Sequence, residues 1–267
     1  MKEVFKKTGE ILKSNIAIIL AVILLIVVPL WAIQFFVVEK VCDIENSINT
    51  YTTYITSDEA LTVEDATELP ADVRSAWKKI LTYYGLSALL SVFSLLAECI
   101  AMVLAVKRIK QKNEVYTLMP VMNDGMTAYP RVILATFIVL AICLVGFTMF
   151  ILPGIYLTIV LSCMVPAVIY TKSIKRGLFE SLKLFRKMPG KVVLSTLIYR
   201  GAPLLLSFIL SFALSYLTEP YAVKLIASLI GNIITGLASV ICAMFCEVFY
   251  LENTEYEPEK EDKVRIM

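Results

Sequence analysis

The chain has no histidine among its 267 residues. That removes the commonest acid-base side chain near neutral pH, imidazole ligation of haem and the usual hydrolytic zinc site. No GxxxxGK phosphate loop, GxGxxG dinucleotide turn or GxSxG nucleophile elbow occurs. Charged residues make up only 18% of the chain. No aspartate falls inside a long apolar run, so the acid of an intramembrane aspartyl protease is also missing. These absences point away from an enzyme, and no metal, cofactor or nucleic-acid partner is expected. The six cysteines imply no disulfide framework. Cys99, Cys143, Cys163, Cys242 and Cys246 lie in apolar runs, where a thiol acts as a small hydrophobe, and Cys42 stands alone between two runs.

What is present is hydrophobic length. With 58% hydrophobic residues and a mean hydropathy of +0.77, the composition leaves too little polar surface for a water-soluble domain. A bilayer crossing needs about 20 apolar residues in a helix, and six such runs occur. They are Asn15 to Val38, Tyr83 to Val106, Val132 to Phe150, Ile155 to Tyr170, Val192 to Leu217 and Leu225 to Tyr250. The third and fourth meet at Leu152-Pro153-Gly154, read as a tight hairpin turn at Pro153 and Gly154. The expected fold is therefore an all-α integral membrane protein of six transmembrane helices.

With the N-terminus inside, 19 Lys and Arg fall in cytoplasmic segments and 5 in outer ones, which favours N-in, C-in topology. The expected organisation is a cytoplasmic basic arm over 1–14, one membrane domain over 15–250 and a cytoplasmic tail over 251–267. An outer loop covers 39–79, and cytoplasmic loops cover 107–131 and 171–191. The long first run, with no small-x-small cleavage site after it, reads as a retained anchor. The acidic outer loop is expected to turn helical near its end, with Pro70 in the first turn, and to continue into the second span.

A weak repeat suggests three hairpins, each led in by a cytoplasmic interfacial segment: Val4 to Gly9, Val121 to Met126 and Leu184 to Gly190. The third lead-in is amphipathic, with Ile174, Leu178, Leu182 and Phe185 at helical spacing. Lys172, Lys175, Arg176, Lys183, Arg186 and Lys187 mark it as an interfacial or partner-docking helix, its apolar face expected in the acyl boundary and its cations near anionic lipid. The plainer reading is a topology-fixing basic loop.

Charges inside spans cost about 2.5 to 3.5 kcal/mol at a helix centre on insertion scales. Glu98 and Arg200 each lie nine residues from a cytoplasmic lysine, Lys107 and Lys191. Matched depth and opposite sign predict an intramembrane ion pair joining the second and fifth spans, structural or part of a transport path. Gly201-Ala202-Pro203 is expected to kink the fifth span and free a carbonyl. Glu247, five residues before Glu252, is expected to reach the interface.

The stretch Phe147 to Leu157, with Pro-Gly-Ile-Tyr-Leu at 153–157, continues to Pro166-Ala167 and then to the amphipathic segment Gly177 to Lys187. In this it resembles the membrane domain of bacterial glycerophosphodiester phosphodiesterases and its uncharacterised stand-alone six-span relatives, and Phe249-Tyr250-Leu251-Glu252 is similar to that family's usual end. Phe179-Glu180-Ser181-Leu182 departs from the small, serine-rich phrase of that family, and Thr171-Lys172 stands where an acidic residue often follows the fourth span. The resemblance implies a bacterial cytoplasmic-membrane protein without its own catalysis, since no phosphodiesterase domain is expected after the last span. It transfers no active-site residue.

The leading expectation is thus a non-enzymatic protein acting through the lipid bilayer or envelope partners. The alternatives are a transport component and protection against membrane-active peptides. The transport component would be either a small permease or a permease subunit docking a cytoplasmic ATPase. Glu180-Ser181-Leu182 resembles the coupling loop of importer permeases, with Arg186 in place of its glycine.

Overall fold

A computed structural model describes residues 1–30, 32–34, 37, 71–110, 116–215 and 221–254. Every regular element among the described residues is a helix. In chain order they are α1 (Lys2–Val22), α2 (Ala71–Lys110), α3 (Leu118–Met149), α4 (Ile151–Val160), α5 (Met164–Thr171), α6 (Ile174–Lys187), α7 (Pro189–Thr196), α8 (Ala202–Ser215) and α9 (Tyr221–Asn253). Two π-helical turns, Ile23–Val27 and Leu197–Gly201, extend α1 and join α7 to α8. Among the described residues six helical stretches are long and apolar enough to cross a membrane: Lys2–Gln34, Lys78–Lys110, Leu118–Met149, Ile151–Thr171, Pro189–Ala213 and Ile226–Asn253. Each contains most of one predicted run. Cys42, most of the outer loop 39–79 and most of the tail 251–267 lie outside the described residues, but α2 does begin directly after Pro70.

The chain divides into two compact units, Met1–Val27 with Leu95–Met267, and Val28–Ser94. In the smaller unit the Gln34 side-chain amide donates to the Ser87 hydroxyl at 3.3 Å. The larger unit holds the core and everything that follows.

Breaks in the helices have identifiable causes. Each π turn is followed, after one residue, by a proline, Pro29 or Pro203. Proline has no N–H for the carbonyl four residues back, at Leu25 or Tyr199, so the ladder widens there. The fourth span is interrupted between α4 and α5 in the same way, because Pro166 cannot bond the Ser162 carbonyl. Met164 N–H bonds the Leu161 carbonyl at 2.9 Å there, a tighter turn than the α-helix makes.

The turn between α3 and α4 falls at Phe150, which is extended (φ −162°, ψ 153°), and not at Pro153 and Gly154. Those two residues stand in the first turn of α4, where a proline needs no N–H partner. Gly154 has a packing role instead. A Cβ there would lie 2.4 Å from the Phe147 ring, and one on Gly146 would lie 3.0 Å from the Gly154 Cα. The two helices therefore meet backbone to backbone.

The segments leading into the first and fifth spans are separate helical pieces. Asn15 leaves helical geometry (φ −130°, ψ 20°), and Met188 does the same between α6 and α7. At Asn15 the side-chain amide donates to the Ile11 carbonyl at 2.8 Å, and its oxygen accepts from Arg108 Nε and Nη2 at 3.1 and 2.7 Å. The segment Val121 to Met126 is different, since α3 runs unbroken through it and through Pro130.

The arm over 1–14 is therefore helical and packed. Val4, Thr8 and Ile11 are buried at helical spacing. Phe5 lies against Phe245 with ring centroids 4.7 Å apart, and Lys7 pairs with Glu252 at 2.6 Å. Val4 and Ile11 share one apolar cluster with Phe245, Val248 and Phe249, so the start of α1 covers the end of α9.

Candidate functional site

The deepest polar cluster is built on α2, the second π turn and α9. Glu98 is half-buried on α2, accepting hydrogen bonds from the Tyr199 hydroxyl at 3.1 Å and the Ser239 hydroxyl at 2.5 Å. Arg200 makes no ion pair with it: among the described residues the guanidinium lies over the Tyr199 ring, 4.2 Å from its centroid. Neighbouring helical residues point about 100° apart. With Tyr199 buried and turned to Glu98, Arg200 is carried to the exposed surface of the bundle. Depth matching located the region, and the adjacent tyrosine makes the contact.

Glu247 sits on the same helix as Ser239, two turns on. It does not reach an interface. Its side chain is fully buried, and neither carboxylate oxygen has a hydrogen-bond partner. Its neighbours Ala243 and Cys246 belong to an apolar cluster with Cys99, Met102, Val165 and Tyr199. Cys99 lies within electrostatic range of both Glu98 and Glu247. This cover is not readable from the spacing to Glu252, because it comes from other segments: Cys99 and Met102 of α2, Val165 of α5 and Tyr199 of the second π turn complete the cluster around Ala243 and Cys246.

The amphipathic helix α6 is docked on the bundle by its small residues. Gly177, Ser181 and Leu184 are its buried stripe. A Cβ on Gly177 would lie 3.0 Å from the Val168 backbone nitrogen, and the Ser181 hydroxyl donates to the Val160 carbonyl at 2.8 Å. Ile174 and Leu178 are half-buried against the core cluster around Ala135, and Phe185 packs against the main one. Three of the four residues of the predicted apolar face, Ile174, Leu178 and Phe185, thus pack against protein. Ser181 of the Glu180-Ser181-Leu182 phrase is held inside. Lys175, Lys183, Arg186 and Lys187 remain exposed, with Arg176 half-buried, and Phe179 is 60% exposed beside them.

Lys172 stands apart from these, at the C-terminal end of α5. It lines a cavity of about 330 Å³ together with Lys107, Lys110 and Arg131. Asp124 is the carboxylate on the wall among the described residues, and it pairs with Lys107. The four cations of this opening come from the segments 107–131 and 171–191, which sequence reasoning treated as two basic loops. Their convergence had no signal in either segment alone. Among the described residues no cluster of His, Cys, Asp and Glu could hold a metal ion. Comparison with known protein families, curated proteins and solved structures finds no match.

Proposed function

We propose that this is a non-enzymatic multi-pass protein of the bacterial cytoplasmic membrane, both termini inside, that acts by engaging anionic lipid and envelope partners through its cation-rich end. The observation that carries this reading is the gathering of cations on α6 and around the cavity, four of them lining one opening. On the positive-inside rule that end faces the cytoplasm, where the leaflet's negative surface potential draws each Lys or Arg by about 1 kcal/mol. Six apolar helices and the resemblance of 147–169 to a phosphodiesterase membrane domain support a membrane module without catalysis.

The test is purification of the tagged full-length protein from its native membrane in mild detergent, with mass spectrometry of the lipids and proteins that co-elute. Enrichment of anionic phospholipid over the bulk membrane is expected. A bulk-like lipid profile with no partner would reject the reading. A stoichiometric ATPase, lost when Lys183, Arg186 and Lys187 are replaced by Ala, would move the protein to the permease subunits. Transport is favoured by one specific observation, the unpartnered Glu247 carboxyl, since ionisable groups in spans often mark ion paths. That reading predicts proton flux in proteoliposomes that Glu247→Gln abolishes.

A further inference from the structure

We propose that the cavity enclosed by α2, α3 and α5 is a binding site for a phosphate group, as carried by an anionic phospholipid headgroup, with Lys110, Arg131 and Lys172 as its ligands. The inference rests on the lipid-engaging reading and gives it an address. The cavity, about 330 Å³, is lined by four cations against one carboxylate. Lys107 and Asp124 answer each other. Lys110, Arg131 and Lys172 have no carboxylate partner among the described residues. Phosphate, with three or four acceptor oxygens, is the group such a set recognises.

Lysines at helix C-termini are common, because they complement the partial negative charge of the last carbonyls. That accounts for Lys107 and Lys110, which end α2. It does not account for Arg131, which comes from within α3 and donates to the Lys172 carbonyl at 3.3 Å. Nor does it account for the backbone of Lys172, which has φ 56° and ψ 18°. It is the non-glycine residue held in the left-handed region among the described residues. Glycine or asparagine is the usual choice there, and a residue kept in such a conformation is a pointer to function. Here it carries a cation at the rim of the opening.

The chemistry of the walls extends the match beyond phosphate. Val103, Val106, Val168 and Ile169 line the same cavity. Tyr170 stands beside it, with the Lys110 ammonium 4.7 Å from its ring centroid. An apolar floor, a cationic rim and an aromatic at the boundary suit an amphiphile whose glycerol and upper acyl carbons enter with the phosphate.

The experiment uses the full-length protein in phosphate-free neutral detergent, titrated with dioctanoyl phosphatidylglycerol, with dioctanoylglycerol lacking the phosphate, and with inorganic phosphate, read by native mass spectrometry and calorimetry. Saturable one-to-one binding of the phosphatidylglycerol alone assigns a lipid site, whereas equal binding of inorganic phosphate assigns the same pocket to a free anion. Lys110→Gln and Arg131→Gln should each weaken binding about fivefold, with Arg131→Lys recovering part of it. Lys13→Gln, the same charge change outside both the cavity and α6, should leave it unchanged. Size-exclusion profile and far-UV circular dichroism show that each variant is folded. Equal loss in Lys13→Gln, or equal binding of dioctanoylglycerol, overturns the proposal. So does anionic lipid that co-purifies with the native protein but shows no saturable short-chain binding, an outcome that removes this site and keeps the broader reading.

Discussion

Among the described residues within the spans, Glu98 is met by two hydroxyls and Glu247 by no donor, while Lys107, Lys110, Arg131 and Lys172 line one opening with a single described carboxylate among them. In the first region the Glu98 carboxylate is half-buried and met by hydroxyls, and the Glu247 carboxyl is fully buried. The second holds like charges together around an accessible volume. Surrounding dielectric explains why the two arrangements differ. In the interior an uncompensated charge costs several kcal/mol, so hydroxyl donors are brought to Glu98. At an aqueous boundary, like charges repel weakly and can wait for an anion. Enclosure serves the fold in one region, and openness serves recognition in the other. Glu247 alone breaks this division, being enclosed without a donor.

Glu247 is therefore the position where the comparison is most easily broken. A lysine in its place would set a cation among Ala243, Cys246 and Tyr250, and should destabilise the protein by about 3 kcal/mol or more. Leucine removes the unpartnered carboxyl and should be neutral or stabilising by about 1 to 3 kcal/mol. Thermal unfolding in one detergent, followed by tryptophan fluorescence, ranks the variants. Strong destabilisation by Glu247→Leu would mean that the carboxyl has a partner in the membrane, and Glu247 would then belong with Glu98.

The next effect is smaller. Glu98→Ala leaves the Tyr199 and Ser239 hydroxyls without their acceptor, a loss of about 1 to 3 kcal/mol for a buried group so orphaned. Glu98→Gln keeps a carbonyl acceptor and should cost less. In a double-mutant cycle Glu98→Ala and Ser239→Ala should couple, the double variant losing less than the sum of the singles. Strict additivity would show that the 2.5 Å contact contributes nothing.

Much of the fold was readable because a bilayer needs long apolar runs, and six runs of the required length carry that signal without any partner. Local breaks were readable where proline removes a donor, as at Gly201-Ala202-Pro203, since that effect is confined to one helical turn. The Glu98 region was found by counting residues from Lys107 and Lys191. The contact was then assigned to Arg200 when Tyr199 makes it, because depth along a helix says nothing about azimuth. Ser239 was missed, one hydroxyl among many in apolar helices. Glu247 and the cavity were missed for a longer-range reason. Each depends on which segments meet, α2, α5 and the second π turn against α9 for Glu247, and α2 with α3 and α5 for the cavity, and no single segment encodes that meeting.

The smallest expected effect tests the open region most directly. Lys172→Gly removes a cation from the cavity rim and also relieves the left-handed backbone at φ 56°. If the lysine were there only as a helix end, glycine would improve the protein outright, by about 1 kcal/mol. If the lysine serves the phosphate, the same substitution should raise the unfolding temperature while weakening phosphatidylglycerol binding about fivefold. The opposed signs separate the two roles within one variant, which a simple loss of stability could not imitate. Lys172→Asn sharpens the result, because asparagine tolerates this conformation well and carries no charge. It should match glycine in binding and fall between glycine and lysine in stability. A rise in stability with unchanged binding in both variants would leave the cavity with Lys110 and Arg131 alone, too few cations to distinguish it from an ordinary helix end.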